Sequence, residues 1–382
     1  MAKKELGIYI HIPFCKRKCN YCDFISYTNK CQKIEEYIKC LKKEISLFDF
    51  SNYIVTTIYI GGGTPSFVDS KYIKDIMNTV YEKVNKDNID DNVEITIEVN
   101  PGTVNKEKIE DYKKIGINRL SIGLQSTNDK LLKEIGRIHN FKQFLDAYNL
   151  VKEVGFENIN IDLMLGLPNQ TIKDLKESLD AIIKLNPNHV SCYSLIVEEG
   201  TKLYEQIEKK ELQLPDEELE RNMYWYVKNT LELNGYNHYE ISNFSKKKKE
   251  SRHNMNCWNQ EEYIGFGVAA HSYINNTRFS NTNSVEEYIT NINNGNNQKN
   301  VTIEEKQTLE DKKNEFMMLG FRKIDGIDIS KFKEKFNCNP IYLYKEKLNK
   351  LVEEELIEID LNNIKLTNKG IDLANLVFQE FI

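Results

Sequence analysis

Three cysteines near the start of the chain, Cys15, Cys19 and Cys22, follow one another at spacings of four and three residues. Three thiolates on one short loop can bind three irons of a [4Fe-4S] cluster and leave the fourth iron open to another ligand. Zinc is the competing metal, because His11 would complete a site of three cysteines and one histidine. His11 falls inside a predicted strand, however, and no second cysteine pair stands nearby, so the spacing favours a cluster. The basic residues at 16–18 should lower the pKa of the thiols and favour bound thiolate.

Polar side chains also mark the ends of later predicted strands. The glycine triplet at 61–63 permits close approach of the backbone, and its amides can meet a carboxylate, although a tight turn would use the same residues. Glu98, Gln125 and Asp162 are polar where a buried strand would otherwise be apolar, and Arg137 follows in a loop. Buried charge needs a partner, and the carboxyl ends of parallel strands meet at one edge of a sheet. We therefore expect one site at that edge.

Short apolar segments alternate with helix-like segments through the first half of the chain. The strand candidates are residues 7–12, 56–60, 94–100, 119–125, 160–165 and 190–196. This alternation predicts βα units around a parallel sheet. Six units are fewer than the eight of a closed barrel, so the pattern predicts an open or partial barrel or a doubly wound sheet.

A different pattern follows residue 196. A helix is predicted over 215–233, between Pro215 and Gly235. Short strands are then predicted at 238–244, 263–267 and 277–280, followed by an asparagine-rich linker at 291–300.

The last part of the chain, from residue 309, is predicted to contain three helices and a two-stranded ribbon. The ribbon strands, 356–360 and 364–366, are joined through Asn362 and Asn363, which suit a tight hairpin. This arrangement predicts a small winged-helix-like α+β domain. Because its charge is mixed, packing or partner binding is favoured over DNA binding.

The composition limits the classes of function. With 40% hydrophobic and 29% charged residues, the 382-residue chain has the composition of a soluble protein of two or three domains. Its net charge of -6 argues against a general nucleic-acid binder. No apolar run approaches the roughly 20 residues of a membrane helix and no secretory signal is evident, so we expect a cytoplasmic protein. There, Cys31, Cys40, Cys192 and Cys338 should be buried thiols rather than disulfides.

Five segments together carry a resemblance to a known family. They are YIHIPFCKRKCNYC, GGGTPS, EVNPGTV, RLSIGLQS and NIDLMLGLPNQT. In this order they resemble the radical S-adenosylmethionine (SAM) family that contains oxygen-independent coproporphyrinogen III oxidases and related heme chaperones, over essentially the whole chain. The resemblance implies a partial (β/α)6 barrel. We therefore expect a radical SAM barrel at 1–234, a linker region with a heme motif at 235–300 and a winged-helix-like domain at 301–382.

The same resemblance implies two cofactors and their contacts. Cys15, Cys19 and Cys22 would bind the [4Fe-4S] cluster, and SAM would take the open iron. The implied SAM contacts are Tyr9, Tyr21, Gly62, Gly63, Thr64, Glu98, Gln125, Arg137, Asp162 and Ile196. Ile196, at the expected end of the sixth strand, would contact adenine. These contacts would serve equally for SAM that a reduced cluster cleaves and for SAM that is only bound.

Two features favour the chaperones over the oxidases. The oxidases carry a further cysteine two residues after the third cluster cysteine, where this chain has Phe24. The oxidases also extend well ahead of the first strand, whereas Tyr9 already belongs to that strand here.

A third feature is the segment RHNMNCW at 252–258, which resembles the heme motif HNxxYW of the chaperones. His253 would be an axial heme ligand, and Trp258 would pack against the porphyrin face. Cys257 replaces the tyrosine of the motif, and it either ligates heme or fills core space, with packing favoured. His271 either lines the cavity in which His253 would bind heme, or it is a core histidine with its hydrogen bonds satisfied.

The resemblance therefore implies a heme chaperone that binds heme, a [4Fe-4S] cluster and SAM. It would transfer heme to apo-hemoproteins, including membrane-bound ones met in transient contacts. The alternative is an oxygen-independent coproporphyrinogen III oxidase, which would decarboxylate propionates with a SAM-derived radical. A third hypothesis is a zinc-stabilised barrel without radical chemistry.

Overall fold

The computed structural model describes residues 3–382, and most of its strands form one twelve-stranded sheet. These strands are β1 (Lys4–Ile12), β2 (Tyr53–Gly62), β3 (Ile89–Val99), β4 (Arg119–Gln125), β5 (Asn158–Leu165), β6 (His189–Ser194), β7 (Asn237–Glu240), β8 (Asn243–Ser245), β9 (Tyr263–Phe266), β10 (His271–Ile274), β11 (Thr277–Asn281) and β12 (Val301–Lys306). Their spatial order is β12-β11-β10-β9-β1-β2-β3-β4-β5-β6-β8-β7. A second sheet contains β13 (Ile327–Asp328), β14 (Ile357–Ile359) and β15 (Asn363–Leu366) in the order β13-β15-β14.

Helices connect most of the strands. They are α1 (Ile34–Leu47), α2 (Ser70–Val84), α3 (Lys106–Lys114), α4 (Asp129–Glu134), α5 (Phe141–Glu153), α6 (Ile172–Leu185), α7 (Lys202–Glu208), α8 (Glu217–Leu233), α9 (Arg252–Trp258), α10 (Val285–Asn293), α11 (Leu309–Gly320), α12 (Ile329–Phe336), α13 (Pro340–Leu343), α14 (Lys345–Glu353), α15 (Asn368–Asp372) and α16 (Ala374–Gln379).

The strands β1 to β6 lie side by side in chain order and run parallel, with α1 to α6 between successive strands. This order confirms the predicted α/β fold with six βα units and excludes a doubly wound sheet, in which the strand order reverses. At its two edges, β1 pairs with β9 and β6 pairs with β8. The six parallel strands therefore form an open, partial barrel.

Alternation along the parallel strands gives the sheet two different faces. Ile58 and Ile60 of β2 and Ile97 of β3 are fully buried in the hydrophobic core that the sheet shares with the helices. Residues between them, such as Tyr59 and Glu98, point to the opposite, inner face. Because that face is polar, a site at the strand ends can continue along the inside of the sheet.

Several segments differ from the sequence predictions. The sixth strand ends at Ser194, so Ile196 lies in the following loop and is 69% exposed. The asparagine-rich segment forms the end of α10 and a 3₁₀ turn (Asn297–Asn300), because the apolar face of α10 packs against α1. The heme-motif segment 252–258 forms the helix α9, and the Ser251 side chain caps its first turn.

The carboxyl-terminal region has a hydrophobic core of its own, to which Phe316, Phe332 and Phe381 belong. The predicted hairpin is confirmed, since β14 and β15 pair antiparallel, with Asn363 already in β15. The predicted domain boundaries after residues 234 and 300 stay a prediction. Between residues 3 and 382, no helix is both long enough and apolar enough to cross a membrane.

Candidate functional site

The loop after β1 carries the three cysteines of the predicted cluster motif. It is hydrogen-bonded to the segment that follows β2. The Thr64 N–H donates to the carbonyl of Phe14 (2.9 Å), and the Thr64 hydroxyl donates to Sγ of Cys15 (3.4 Å). Farther along, the Cys22 N–H donates to the carbonyl of Cys19 (3.2 Å), which closes a turn. The cysteines therefore have defined positions at the carboxyl ends of β1 and β2.

The surroundings of Cys15 and Cys22 disfavour free thiolate. Burial raises the pKa of the Cys15 thiol, and it raises the pKa of Cys22 to about 11. The positive charge of Lys18 opposes this only in part. Lys18 thus lowers the pKa of both thiols as expected, but the larger effect of burial leaves each pKa above its ordinary value, so the predicted net lowering is wrong for Cys15 and Cys22. A bound cation deprotonates its thiol ligands, so these thiols suit coordinated iron better than free thiolate.

The zinc alternative gains no support from the position of His11. Its Nδ1 lies 2.9 Å from the Tyr9 hydroxyl, and its Nε2 lies 3.0 Å from the carbonyl oxygen of Ile25. In the part of the chain that the structure describes, no three His, Cys, Asp or Glu side chains converge to hold one metal ion. A cluster presents a separate iron to each thiolate, so its ligands need no common point.

One cavity, named the cysteine cavity, opens at the carboxyl ends of β2 to β5. Eleven of the predicted residues line it: Cys15, Cys19, Tyr21, Cys22, Gly62, Gly63, Thr64, Glu98, Gln125, Arg137 and Asp162. Residues far apart in the chain thus meet at one edge of the sheet, as the rule for parallel strands predicts. Two predicted SAM contacts lie elsewhere: Tyr9 lines a neighbouring cavity, and Ile196 is exposed in the loop after β6.

Glu98 and Asp162 give the cysteine cavity two carboxyl groups with raised pKa values. Burial, with a smaller contribution from the charge of Asp162, raises the pKa of Glu98 to about 7. The Tyr59 hydroxyl donates to Oε1 of Glu98 (2.9 Å) and partly opposes this rise. Burial also raises the pKa of Asp162, although Nδ2 of Asn160 donates to it at 2.6 Å. A ligand that brings positive charge would stabilise both ionised groups.

Arg137 supplies positive charge to the same cavity, and this charge partly opposes the rise in the pKa of Asp162. Its Nη2 donates to the carbonyl of Gly123 (3.0 Å), and its Nη1 donates to Sγ of Cys19 (3.6 Å). Its Nε is buried and has no hydrogen-bond partner among residues 3–382. A Cβ at Gly63 would lie 3.0 Å from Sγ of Cys15 and 3.0 Å from the carbonyl oxygen of Ile12, so the missing side chain lets the cysteine loop pack closely against this segment. The three thiols fit an iron cluster, and the two carboxyls and the unpaired Arg137 donor fit a polar ligand that carries both a cationic group and a hydrogen-bond acceptor.

A second cavity, named the histidine cavity, lies beside the first. It is lined by Tyr9, His11, Asp23, Phe24, Ile25, His253, Cys257, Tyr263, Ala269, His271 and Asn283. Phe24 borders both cavities. Of the two alternatives for His271, the structure supports the first: it lines this cavity together with His253, and its exposed side chain, 3.3 Å from Glu304, is not that of a core histidine.

His253 projects from α9 towards the inner face of the sheet and is 8% exposed. Its Nδ1 lies 2.8 Å from Oγ1 of Thr57, and the ring of Tyr59 stacks on its imidazole at a centroid distance of 5.2 Å. Burial, assisted by the positive charge of Arg119, lowers the pKa of His253 to about 4. The imidazole is therefore neutral near pH 7, as an iron ligand must be.

Sequence reasoning missed three residues around His253, namely Thr57, Tyr59 and Glu94. The Glu94 carboxylate accepts hydrogen bonds from the N–H groups of Arg252 (3.2 Å) and His253 (3.1 Å), so it anchors the first turn of α9. A signal was present in β2 and β3, where these polar residues alternate with buried apolar ones. Such alternation marks a polar inner face.

The other two residues of the heme motif have different surroundings. The Arg322 guanidinium lies 4.3 Å above the ring of Trp258, and the buried indole Nε1 finds no hydrogen-bond partner within the described chain. Trp258 thus packs against the carboxyl-terminal region. Cys257 lines the histidine cavity, and burial raises the pKa of its thiol to about 11, in agreement with a packing role. The heme contact of Trp258 stays a prediction.

The four cysteines without assigned chemistry differ in burial. Cys40 and Cys192 are buried as predicted. The prediction is wrong for Cys31, which begins a surface turn and is exposed, and Cys338 is only half-buried.

Comparison with known proteins gives concordant results. Residues 9–182 match the radical SAM superfamily, and residues 307–373 match the HemN C-terminal domain. The chain is 36% identical to the heme chaperone HemW of Lactococcus lactis, over 100% of this chain and 98% of that protein. It is 39% identical to the heme chaperone HemW of Bacillus subtilis, over 98% of both proteins. The solved structure of the radical SAM enzyme coproporphyrinogen III oxidase (HemN) from Escherichia coli has the same fold, with a TM-score of 0.86 over 100% of this chain and 91% of that chain at 22% identity.

Proposed function

Because the chain belongs to the heme chaperone HemW family of radical SAM proteins, we propose that it binds heme and transfers it to apo-hemoproteins. Membership of the radical SAM superfamily implies a [4Fe-4S] cluster and SAM as cofactors. Heme is the cargo in this proposal. Recipients are apo-hemoproteins, and those at a membrane are met in transient contacts.

The cysteine cavity is the proposed cofactor site. Cys15, Cys19 and Cys22 are the proposed cluster ligands, and the polar residues around them would hold SAM. When bound, a reduced cluster can supply an electron to SAM. Glu98 and Asp162 offer carboxylates to the cationic groups of SAM, since each would gain stability from a positive charge.

One observation carries the proposal, namely the position of His253. A neutral imidazole whose Nδ1 is engaged by Thr57 leaves Nε2 for a ligand, and within residues 3–382 no other hydrogen bond reaches the ring. The ring faces a cavity whose border includes the exposed side chains of Phe24 and His271. A cargo that must be delivered to another protein requires such an opening at the surface.

Titration of the protein with hemin, followed at the Soret band, tests the proposal. Wild type should give a saturable Soret shift, and His253→Ala should bind hemin about tenfold more weakly. His238→Ala is the matched control, because this histidine is equally buried but stacks on Phe244, outside both cavities. Equal hemin affinity in wild type and His253→Ala would remove His253 from the site. Transfer is then measured as the activity that an apo-hemoprotein gains from the heme-loaded protein.

The same sample separates this function from porphyrinogen oxidation. At 22% identity, the likeness to the Escherichia coli oxidase supports a common fold and does not extend to activity. Reduced, cluster-loaded protein supplied with SAM and coproporphyrinogen III should form no protoporphyrinogen. Its formation would contradict a function restricted to heme transfer.

A further inference from the structure

Tyr59 connects the cysteine cavity and the histidine cavity. Its hydroxyl donates to Oε1 of Glu98 at 2.9 Å, and Glu98 lines the cysteine cavity. Its ring stacks on the imidazole of His253, with centroids 5.2 Å apart and planes at 26°, and His253 lines the histidine cavity. One side chain therefore touches a ligand-facing group of each cavity.

The packing around Tyr59 depends on a glycine. A Cβ at Gly61 would lie 2.9 Å from Cε1 of Tyr59 and 3.0 Å from Oε1 of Glu98. The absence of a side chain at this position is thus what allows the phenol and the carboxyl to meet. Tyr9 also stacks on the Tyr59 ring, at a centroid distance of 6.3 Å, so the ring is held by aromatic contacts as well as by its hydroxyl.

A ligand at Glu98 would change the bond that Tyr59 makes. A neutral carboxyl accepts an ordinary hydrogen bond, whereas a carboxylate accepts a charge-assisted one that is roughly twice as strong. Because burial holds the pKa of Glu98 at about 7, both forms are populated near neutral pH. A cation beside Glu98 favours the carboxylate. It thereby strengthens the hydrogen bond from the Tyr59 hydroxyl, which fixes the Tyr59 ring that stacks on His253.

We propose that Tyr59 is a positioning residue that couples the two cavities, so that SAM held at Glu98 tightens the binding of a metalloporphyrin at His253. The metalloporphyrin must then tighten SAM binding by the same factor. This inference rests on the proposed function, because it takes heme and SAM as the two ligands. It adds a form of regulation, in which the cargo is held more firmly while SAM is present and is released more readily when SAM leaves.

The test measures hemin affinity of cluster-loaded protein with and without saturating SAM. In wild type, SAM should tighten hemin binding about fivefold, at the low end of allosteric couplings. Tyr59→Phe keeps the ring but loses the hydroxyl, so the factor should fall to about one. Tyr81→Phe is the matched control and should keep the fivefold factor. The Tyr81 hydroxyl makes a comparable bond to the carbonyl of Ile115 (2.8 Å) outside both cavities.

A second variant and the reciprocal measurement complete the test. Gly61→Ala separates Tyr59 from Glu98 while keeping both side chains, and it should also abolish the factor. In wild type, the SAM affinity measured by equilibrium dialysis should be about fivefold higher with hemin than without it. A SAM effect that is absent from wild type, or that persists in Tyr59→Phe, overturns the coupling and leaves the proposed function standing. A wild-type protein that binds no hemin overturns the proposed function and the coupling with it.

Discussion

Oγ1 of Thr57 lies 2.8 Å from Nδ1 of His253, although 196 residues separate the two in the chain. Thr57 is a fully buried residue of β2, and His253 belongs to the helix α9. The contact decides which imidazole nitrogen remains for a ligand, since the partner of one ring nitrogen sets the role of the other. A strand of the barrel thus positions the histidine of a motif that lies far away in sequence.

Thr57→Val should weaken hemin binding about fivefold to tenfold, because it removes a hydrogen bond worth about 1 kcal/mol that orients the ring of His253. Soret titration measures the change. Thr57→Ser keeps the hydroxyl and should restore most of the affinity. If Thr57→Val binds hemin as wild type does, His253 does not depend on this contact.

The three clustered cysteines should differ sharply from the others in iron binding. After anaerobic reconstitution with iron and sulfide, wild type should hold about four irons per chain, as a [4Fe-4S] cluster requires. Cys19→Ala should lose the cluster, whereas Cys31→Ala should keep it, because Cys31 is exposed and lies outside the cysteine cavity. Iron analysis and the visible absorption spectrum are the measurements, and a full iron content in Cys19→Ala would contradict the assignment.

Arg137→Met should move the reduction potential of the cluster to a more negative value. The guanidinium lies 3.6 Å from Sγ of Cys19, and a nearby positive charge stabilises the reduced, more negative cluster. A redox titration followed by electron paramagnetic resonance measures the shift. The control is Arg221→Met, which changes a half-exposed arginine paired with Asp372. A potential unchanged in Arg137→Met would show that this arginine does not act on the cluster.

Glu98→Gln should become more stabilising relative to wild type as the pH rises. The folded pKa of Glu98, about 7, lies above the ordinary value of 4.5, so the folded chain binds more protons than the unfolded chain between these values. The cost of the buried carboxylate is absent below pH 4.5, grows through this window and is complete above pH 7. The difference in the free energy of unfolding should therefore increase by about 3 kcal/mol across the whole window.

Urea denaturation of the protein without SAM, at pH 5 and at pH 8, measures this difference. Glu107→Gln, in the first turn of α3 on the surface, is the control and should show no such trend. A difference between Glu98→Gln and wild type that stays constant across the window would mean that Glu98 titrates normally.

Much of the fold and of the cysteine cavity could be predicted from the sequence, because the signals are local. The spacing of Cys15, Cys19 and Cys22 is short enough to be recognised along the chain. Strand-end residues such as Glu98 and Asp162 were identified because polar groups interrupt apolar runs. Because parallel strands share one carboxyl edge, these strand-end residues are expected beside the three cysteines. The three cysteines, Glu98 and Asp162 all line the cysteine cavity.

Contacts between distant segments could not be predicted in the same way. The pattern gave no sign that Tyr9 would line the histidine cavity, that Ile196 would lie beyond β6, or that Trp258 would pack under Arg322. Each of these outcomes depends on where a strand ends or on which element packs beside it.

The sequence by itself determined the cluster motif, the six βα units and the family, since these depend on spacing, alternation and segment order. Only the tertiary structure decided that Tyr59 joins Glu98 to His253 and that Thr57 holds the His253 ring. The physical reason is that residue alternation gives each strand two faces, whereas the register between strands and the docking of α9 determine which side chains of one face meet.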